Sequence, residues 1–326
     1  MKRTIILFAI MVILAIGWSA AWFYIEDKAI EAADRTTERL AERGRIVDCS
    51  NRQTGGYPFR ISFTCDGVSY QDQLSGLSVS AGKLRSAAQA YQPGKVVMEL
   101  EGPAEVQTAG NGDISINWAS MRASAGFGLE GRQRGSLVGT DIEINPLQDP
   151  SRITAAQVEY HDRRSGENDL DLAVVALDMK ETGPTTLGLI DFDLRSEAMI
   201  RNVHGEFSRG RSLRDIIRRQ GAEGELQRFH IVLENGAEVK LSGPFQADRN
   251  GFVDATMSFE VKNLDALLRI ISFLNPGHEK NIERAGQSIK LLAPADENGF
   301  HTVTLNIRKN VIALGLLPIG RLPYWL

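Results

Sequence analysis

The two cysteines are the residues whose type and spacing most directly predict a reaction. Cys49 and Cys65 are the only cysteines among 326 residues. In an oxidising compartment a pair at this short spacing forms a disulfide, whereas in a reducing one it stays as two buried free thiols. No histidine neighbours them, so a zinc site is poorly supported. The sequence therefore predicts a Cys49–Cys65 disulfide if this part of the chain is exported.

The other patterns that could do chemistry are weak. Ser80 and Lys83 match the S-x-x-K spacing of a nucleophile and its lysine, but the companion S-D-N and K-T-G motifs do not follow in the expected context. Two pairs of aspartates alternate as on a strand and could bind a cation, although charges on a solvated strand face explain them better. These pairs are Asp169 with Asp171 and Asp191 with Asp193.

None of the five histidines has the spacing of a zinc site, and no G-x-S-x-G elbow or P-loop occurs. We therefore expect no catalytic residue, no metal site and no cofactor, and we interpret the chain as a non-enzymatic protein. A hydrolase with an unrecognised site is the third alternative, after lipid binding and scaffolding.

A candidate recognition loop lies between the two cysteines. Tyr57, Pro58, Phe59 and Arg60 follow two glycines that permit a tight turn, and the proline stiffens it. The segment fits a loop that binds a partner. It also fits a turn held by the disulfide, with its two aromatic rings buried.

A candidate apolar lip lies at the carboxyl end. Residues 311–317 are strongly apolar, and they are followed by two prolines and an aromatic ending. The segment fits either a hydrophobic lip that touches lipid or a partner, or a last core strand with a docked tail. The residues of the predicted lip are Leu316, Leu317, Tyr324 and Trp325.

The first 25 residues are predicted to anchor the rest of the chain to a membrane. Residues 5–25 are uncharged and apolar, which is the length of helix that crosses a bilayer. Lys2 and Arg3 precede the run and acids follow it, so the positive-inside rule predicts a cytoplasmic amino terminus and export of the rest. The alternative is a signal peptide cleaved near Ser19-Ala20-Ala21, but its apolar run would be unusually long.

Composition fits an ordinary globular ectodomain. The formal charge is -4, from 37 Lys+Arg against 41 Asp+Glu, so nothing indicates nucleic-acid binding. Alternating apolar and polar runs, with Asn-Gly turns between them, predict an α+β fold that is mainly antiparallel β with a curved or groove-like sheet. Helices are predicted over residues 26–43, 82–91, 212–220, 263–274 and 281–292, and residues 187–197 fit either helix or strand.

Four regions follow from these patterns: an anchor (1–25), a neck helix (26–45), a first β-rich half with the disulfide (46–148) and a second β-rich half with short helices (149–326). A repeat supports the two halves. Val97 to Pro103 and Glu238 to Pro244 each predict a strand, a Gly-Pro kink and a hairpin, and residues 290–300 resemble a degraded third copy.

The chain resembles domain-of-unknown-function family 2125, a bacterial envelope family. The likeness rests on the anchor, the segment Gly56 to Arg60 with Cys65 shortly after, and the ending Gly315 to Gly320. The resemblance implies a bacterial inner-membrane protein with a periplasmic bulk, and it brings no catalytic residues.

A more distant resemblance is to AsmA-like envelope proteins, whose antiparallel repeats form an apolar groove thought to conduct lipid. This chain is much shorter than the members that bridge a periplasm. The resemblance therefore implies a groove that binds a phospholipid or acyl ligand. A scaffolding role with an envelope protein partner, through the neck helix or the candidate loop, is the alternative.

Overall fold

The computed structural model describes residues 2–109, 112–128, 130–148, 150–183, 191–274, 277–315 and 317–323. Strands make up 52% and helices 25%, and the strand pairs are antiparallel, which confirms the mainly antiparallel α+β class. The contacts divide the chain into two units. The first is Met1–Phe127 with Ile144–Gln148, and the second is Gly128–Glu143 with Asp149–Leu326.

The first unit begins with one long helix. Helix α1 (Lys2–Ala41) runs without a break through the apolar stretch and into the predicted neck. It is long and apolar enough to cross a membrane. Its second half is charged, with an ion pair of 2.5 Å between Asp34 and Arg52 of the following segment. The helix ends before Gly44, whose φ of 74° suits a helix carboxyl terminus.

Strands β1 to β10 follow in the first unit, and they form two antiparallel ladders. One ladder has the order β1-β4-β5-β8-β9 and the other β2-β3-β6-β7-β10. The strands are β1 (Arg45–Ser50), β2 (Gln53–Gly55), β3 (Arg60–Cys65), β4 (Gly67–Asp72), β5 (Leu77–Ala81), β6 (Leu84–Gln89), β7 (Gln92–Leu100), β8 (Ala104–Gln107), β9 (Ile114–Asn117) and β10 (Ser120–Gly128).

Each strand of one ladder continues, after a short interruption, into a strand of the other ladder. The chain therefore crosses both ladders five times, as β1–β2, β3–β4, β5–β6, β7–β8 and β9–β10. The interruptions lie side by side, because the amide of Gly82 donates to the carbonyl oxygen of Glu101 over 3.1 Å. Trp118 closes the next interruption by donating from Nε1 to the carbonyl oxygen of Leu100 over 2.8 Å. A Cβ on Gly102 would lie 3.3 Å from this indole, so the Gly-Pro motif leaves room for the ring.

Two predictions about local structure are wrong. Residues 82–91 were expected to form a helix, but residues 84–89 form strand β6, paired with β3 and β7. Pairing on both sides outweighs the weak helical preference of an alanine-rich segment. Lys290 to Leu292, expected as the strand of a third repeat copy, end a helix instead. The predicted Asn111-Gly112 turn falls partly outside the described residues.

The second unit is a sequential antiparallel sheet with two helical insertions. Strands β12 to β19 each pair with the next strand in the chain. The strands are β11 (Gly131–Pro146), β12 (Arg152–Ser165), β13 (Asp169–Thr182), β14 (Phe192–Ile200), β15 (Ala222–Leu233), β16 (Glu238–Ala247), β17 (Val253–Lys262), β18 (Phe300–Arg308), β19 (Val311–Leu314) and β20 (Leu317–Arg321). The helices are α2 (His204–Phe207), α3 (Leu213–Gln220), α4 (Leu264–Leu274) and α5 (Glu279–Leu292).

Three predicted helices are confirmed as α3, α4 and α5. The hydroxyl of Ser212 accepts a hydrogen bond of 3.1 Å from the amide of Asp215, which is the amino-terminal cap expected for α3. Of the ambiguous stretch 187–197, residues 192–197 belong to strand β14, and residues 187–190 lie outside the described part of the chain. The second Gly-Pro copy does not interrupt its strand, since β16 continues through Gly243 and Pro244.

Candidate functional site

The candidate loop contacts helix α1. The indole Nε1 of Trp22 donates a hydrogen bond to the carbonyl oxygen of Arg60 over 3.0 Å. The ring of Tyr57 lies edge-on to Trp22, with 5.3 Å between centroids, and stacks on Phe23 at 5.9 Å. Trp22 is only 3% exposed and packs with Ile61 of β3. The loop is therefore attached to the helix by both packing and hydrogen bonds.

A second set of contacts lies one helical turn closer to the amino terminus. Trp18 donates from Nε1 to the carbonyl oxygen of Pro58 over 2.9 Å. The hydroxyls of Ser19 and Tyr57 are 2.7 Å apart and share a hydrogen bond. Both helix residues belong to the apolar run 5–25, so the loop contacts the carboxyl-terminal third of that run.

The two aromatic rings of the loop are not buried. Tyr57 is 53% exposed and Phe59 is 66% exposed, although Tyr57 contacts the helix on one side. Gly56 has a φ of 108°, and a Cβ there would lie 2.6 Å from the carbonyl oxygen of Arg60. Glycine is therefore needed for the tight turn. The sequence left open whether these rings are buried, and the structure exposes them.

The predicted disulfide is present between Cys49 on β1 and Cys65 on β3. These strands belong to different ladders of the first unit. Cys65 is buried and is the last residue of the strand that begins at the loop. The bond therefore fixes the carboxyl end of the strand whose other end contacts α1.

The sheet of the second unit has one apolar face. Residues paired across antiparallel strands lie on the same side of a sheet. In one such row Val174 is opposite Ser196, Ser196 is opposite Phe229, and Phe229 is opposite Leu241. We call this side the apolar face; its residues on β13 to β17 include Leu172, Val174, Ala176, Leu194, Ser196, Ala198, Phe229, Ile231, Val239, Leu241, Phe259 and Val261.

Helices cover the two ends of the apolar face. Ile216 and Ile217 of α3 pack on Leu170 and Ile200 at one end. Leu264 of α4 and Ile289 of α5 pack on a different cluster, with Val239, Val261 and Val303. Each insertion in the meander therefore buries the part of the sheet from which it leaves.

The middle of the apolar face, between the two sets of covering helices, is partly exposed. Val174 is 37% exposed, and Leu194 and Phe229 are half-buried. Apolar side chains left between two packed helical covers form a strip that is open to a ligand. The sequence predicted an apolar binding face in general terms, but the residues of this strip were not among the predicted site residues.

The opposite face of the sheet is polar, and it contains the paired aspartates. Asp169 accepts a hydrogen bond of 3.0 Å from the amide of Asn202, and Asp171 pairs with Arg163 at 3.0 Å. Asp193 accepts from the amide of Asp178 over 2.8 Å. The carboxylates of Asp169, Asp171 and Asp193 therefore have protein partners and need no metal ion. Within the described ranges, no group of three or more His, Cys, Asp or Glu side chains could hold a metal ion.

Ser80 and Lys83 do not form a nucleophile–base pair. Ser80 lies on strand β5, and Lys83 lies in the interruption that follows it. The ammonium of Lys83 is 3.5 Å from the carboxylate of Asp66. The S-x-x-K match therefore does not place the lysine where it could activate the serine hydroxyl.

A buried ion pair lies at the β12 edge of the apolar face. Asp162 is buried, and its Oδ2 is 3.2 Å from Nη2 of Arg132, although neither carboxylate oxygen accepts a well-aligned hydrogen bond. A Cβ on Gly135 would lie 2.5 Å from Oδ1, so the carboxylate fills that space. Burial, followed by the charge of Asp162, raises the pKa of neighbouring Tyr160 to about 12.

His204 is buried beside this pair. Burial lowers the pKa of its imidazole, and the positive charge of Arg164 lowers it further. The side chain is therefore neutral at pH 7. Sequence reasoning missed this cluster; strand alternation was the available signal, since Val158, Tyr160 and Asp162 share one face of β12.

The predicted carboxyl-terminal lip falls only partly within the structure. Leu317 begins β20, is exposed and pairs with Leu314. Leu316, Tyr324 and Trp325 lie outside the described residues. The apolar segment before them forms β19, with Leu314 in the core beneath α4 and α5.

Together these features define a class: a β-rich protein with one amino-terminal apolar helix that is packed against its first unit. The chain belongs to DUF2125, a family described as an uncharacterized protein conserved in bacteria, which matches residues 22–323. No match is found among curated proteins or among solved structures.

Proposed function

We propose that this is a single-pass inner-membrane protein whose periplasmic bulk binds an acyl chain of a phospholipid on the apolar face, without carrying out a reaction. The observation that supports binding is the partly exposed strip between the two helical covers. The strip offers apolar side chains from neighbouring strands, and burial of an acyl chain there is favourable by about 25 cal/mol per Å².

Retention of the anchor is supported by the contacts of Trp18 and Ser19 with the loop. Cleavage near Ser19-Ala20-Ala21 would remove these partners and leave Trp22 at the new amino terminus. The disulfide supports an oxidising compartment, which in a bacterium is the periplasm. The positive-inside rule then gives the orientation.

The test compares two valines on opposite faces of the same sheet. Val174 is 37% exposed on the apolar face, and Val232 is 39% exposed on the polar face, opposite Glu238. The full-length protein is reconstituted in vesicles containing phospholipid with a photoreactive diazirine on its acyl chain. Cross-linked peptides are then mapped by mass spectrometry, with labelling of α1 as the internal control.

We expect cross-links on β13 to β15 in the wild type and about tenfold fewer in Val174→Gln, because an amide buried against an acyl chain costs on the order of 1–3 kcal/mol. Val232→Gln should leave the pattern unchanged. Cross-links confined to α1, or equal loss in both variants, would exclude the apolar face as the lipid site and favour the scaffolding alternative.

A further inference from the structure

We propose that the loop at Tyr57 to Phe59, together with Tyr91, lies in the outer leaflet of the membrane that α1 crosses, between the headgroup and glycerol region and the upper part of the acyl chains. This inference rests on the anchor in the proposed function, and it does not depend on lipid binding by the apolar face. The occupant of this aromatic surface is the outer leaflet of the bilayer around the helix.

The depth of the loop follows from its contacts on α1. Trp18 and Trp22 are about 20 Å and 25 Å along the helix from Ile5, where the apolar run begins. The hydrocarbon core of a bilayer is about 30 Å thick. A loop that contacts the helix at these two residues therefore cannot stand above the headgroups while the apolar run spans the core.

The side chains around this contact suit that depth. Phe59 is 66% exposed and Tyr91 is 62% exposed, and they are close because the amide of Ala90 donates to the carbonyl oxygen of Phe59 over 2.9 Å. Tyrosine and tryptophan rings prefer the membrane–water interface. Arg60 follows Phe59 with an exposed side chain and can reach lipid phosphates.

Phe127 extends the same surface. Its carbonyl oxygen would lie 2.7 Å from a Cβ on Gly94, three residues after Tyr91, so the end of β10 is adjacent to the turn between β6 and β7. Its ring is exposed. Exposed aromatic rings from three separate segments thus gather at the end of the sheet that α1 contacts, which is the composition of an interfacial aromatic belt.

The experiment measures the distance of these side chains from lipid in the full-length protein. Phe59→Cys, Tyr91→Cys and Leu74→Cys are each labelled with the fluorophore NBD and reconstituted in vesicles of phosphatidylethanolamine and phosphatidylglycerol. Leu74 is the matched control, because it is 87% exposed and lies beside Gly44, beyond the far end of α1. The quencher is a phospholipid with a nitroxide at carbon 5 of its acyl chain.

We expect the nitroxide lipid to reduce emission at positions 59 and 91 by at least half and to leave position 74 unchanged. If either position 59 or position 91 is quenched no more than position 74, the proposal is wrong. Failure of the anchor itself would be distinguished by an intact-protein mass that lacks the first 20 or so residues. Absence of acyl cross-links on β13 to β15 would leave this result unaffected.

Discussion

The indole nitrogen of Trp22 and the carbonyl oxygen of Arg60 are 3.0 Å apart, in a hydrogen bond that joins the end of the apolar run to the first residue of strand β3. The last residue of that strand is Cys65, which the disulfide links to β1. One short strand is therefore fixed at one end by the helix and at the other by a covalent bond. The stability of the first unit should depend on both attachments.

Replacing Trp22 should destabilise the first unit strongly. Trp22→Ala removes a buried ring and a hydrogen bond, and we expect a loss of about 3–5 kcal/mol in the free energy of unfolding. Phe23→Ala is the control, since Phe23 is its neighbour and remains exposed. Urea unfolding of the full chain in mild detergent measures both. Equal losses would contradict the central role of Trp22.

Removing the disulfide should cost about 3 kcal/mol, because the bond closes a short loop that the unfolded chain would otherwise leave open. The variant is Cys49→Ser with Cys65→Ser, measured against oxidised wild type by the same urea titration. Reduced wild type serves as a second comparison and should match the double variant. A transition that reducing agent does not shift would contradict the prediction.

Breaking the buried ion pair of the second unit should be costly. Arg132→Met leaves the carboxylate of Asp162 buried without its cation, and we expect a loss of about 3 kcal/mol. Arg163→Met is the control, because the Arg163 side chain is 74% exposed and its pair with Asp171 should contribute less than about 1 kcal/mol. Adding Asp162→Leu to Arg132→Met should restore stability, whereas failure to do so would assign the loss to packing of Arg132.

Stability should fall as pH decreases below 6.5, the ordinary pKa of histidine. Burial and then the charge of Arg164 lower the pKa of His204 in the folded protein, so the unfolded chain takes up a proton first. The contribution is complete above pH 6.5 and is lost between that pH and the lower pKa of the folded state. His204→Gln should remove most of the change in unfolding temperature with pH over this range. His278→Gln, at an exposed position, should leave that change as it is in the wild type.

The sequence predicted the class of fold because alternation and turn signals are local. Helices α3 to α5 were predictable from their caps and apolar spacing, whereas β6 was not, since its conformation depends on strands to either side. The same limit applies to the second Gly-Pro motif. Gly243 has a φ of 148°, and a Cβ there would lie 2.3 Å from the carbonyl oxygen of Thr256, so its glycine serves close strand packing instead of an interruption.

The same contrast between local and long-range signals applies to the candidate sites. Tyr57 to Arg60 were identified from composition, but their contact with α1 spans about 40 residues of sequence and has no local signal. The apolar face depends on the register of strands β12 to β18, which alternation alone does not give. Asp162 shares a strand face with Val158 and Tyr160, so its burial could be inferred once that strand was known to cover a core.

Helix α1 has no flexible joint where the apolar run ends. It continues from Lys2 to Ala41 as one rod of about 60 Å, and the loop contacts it near the middle. A domain joined to its membrane helix by a flexible linker can change its orientation freely. A unit packed on the helix itself must rotate and tilt together with the helix. In a bilayer that forces α1 to tilt, the first unit would lean by the same angle.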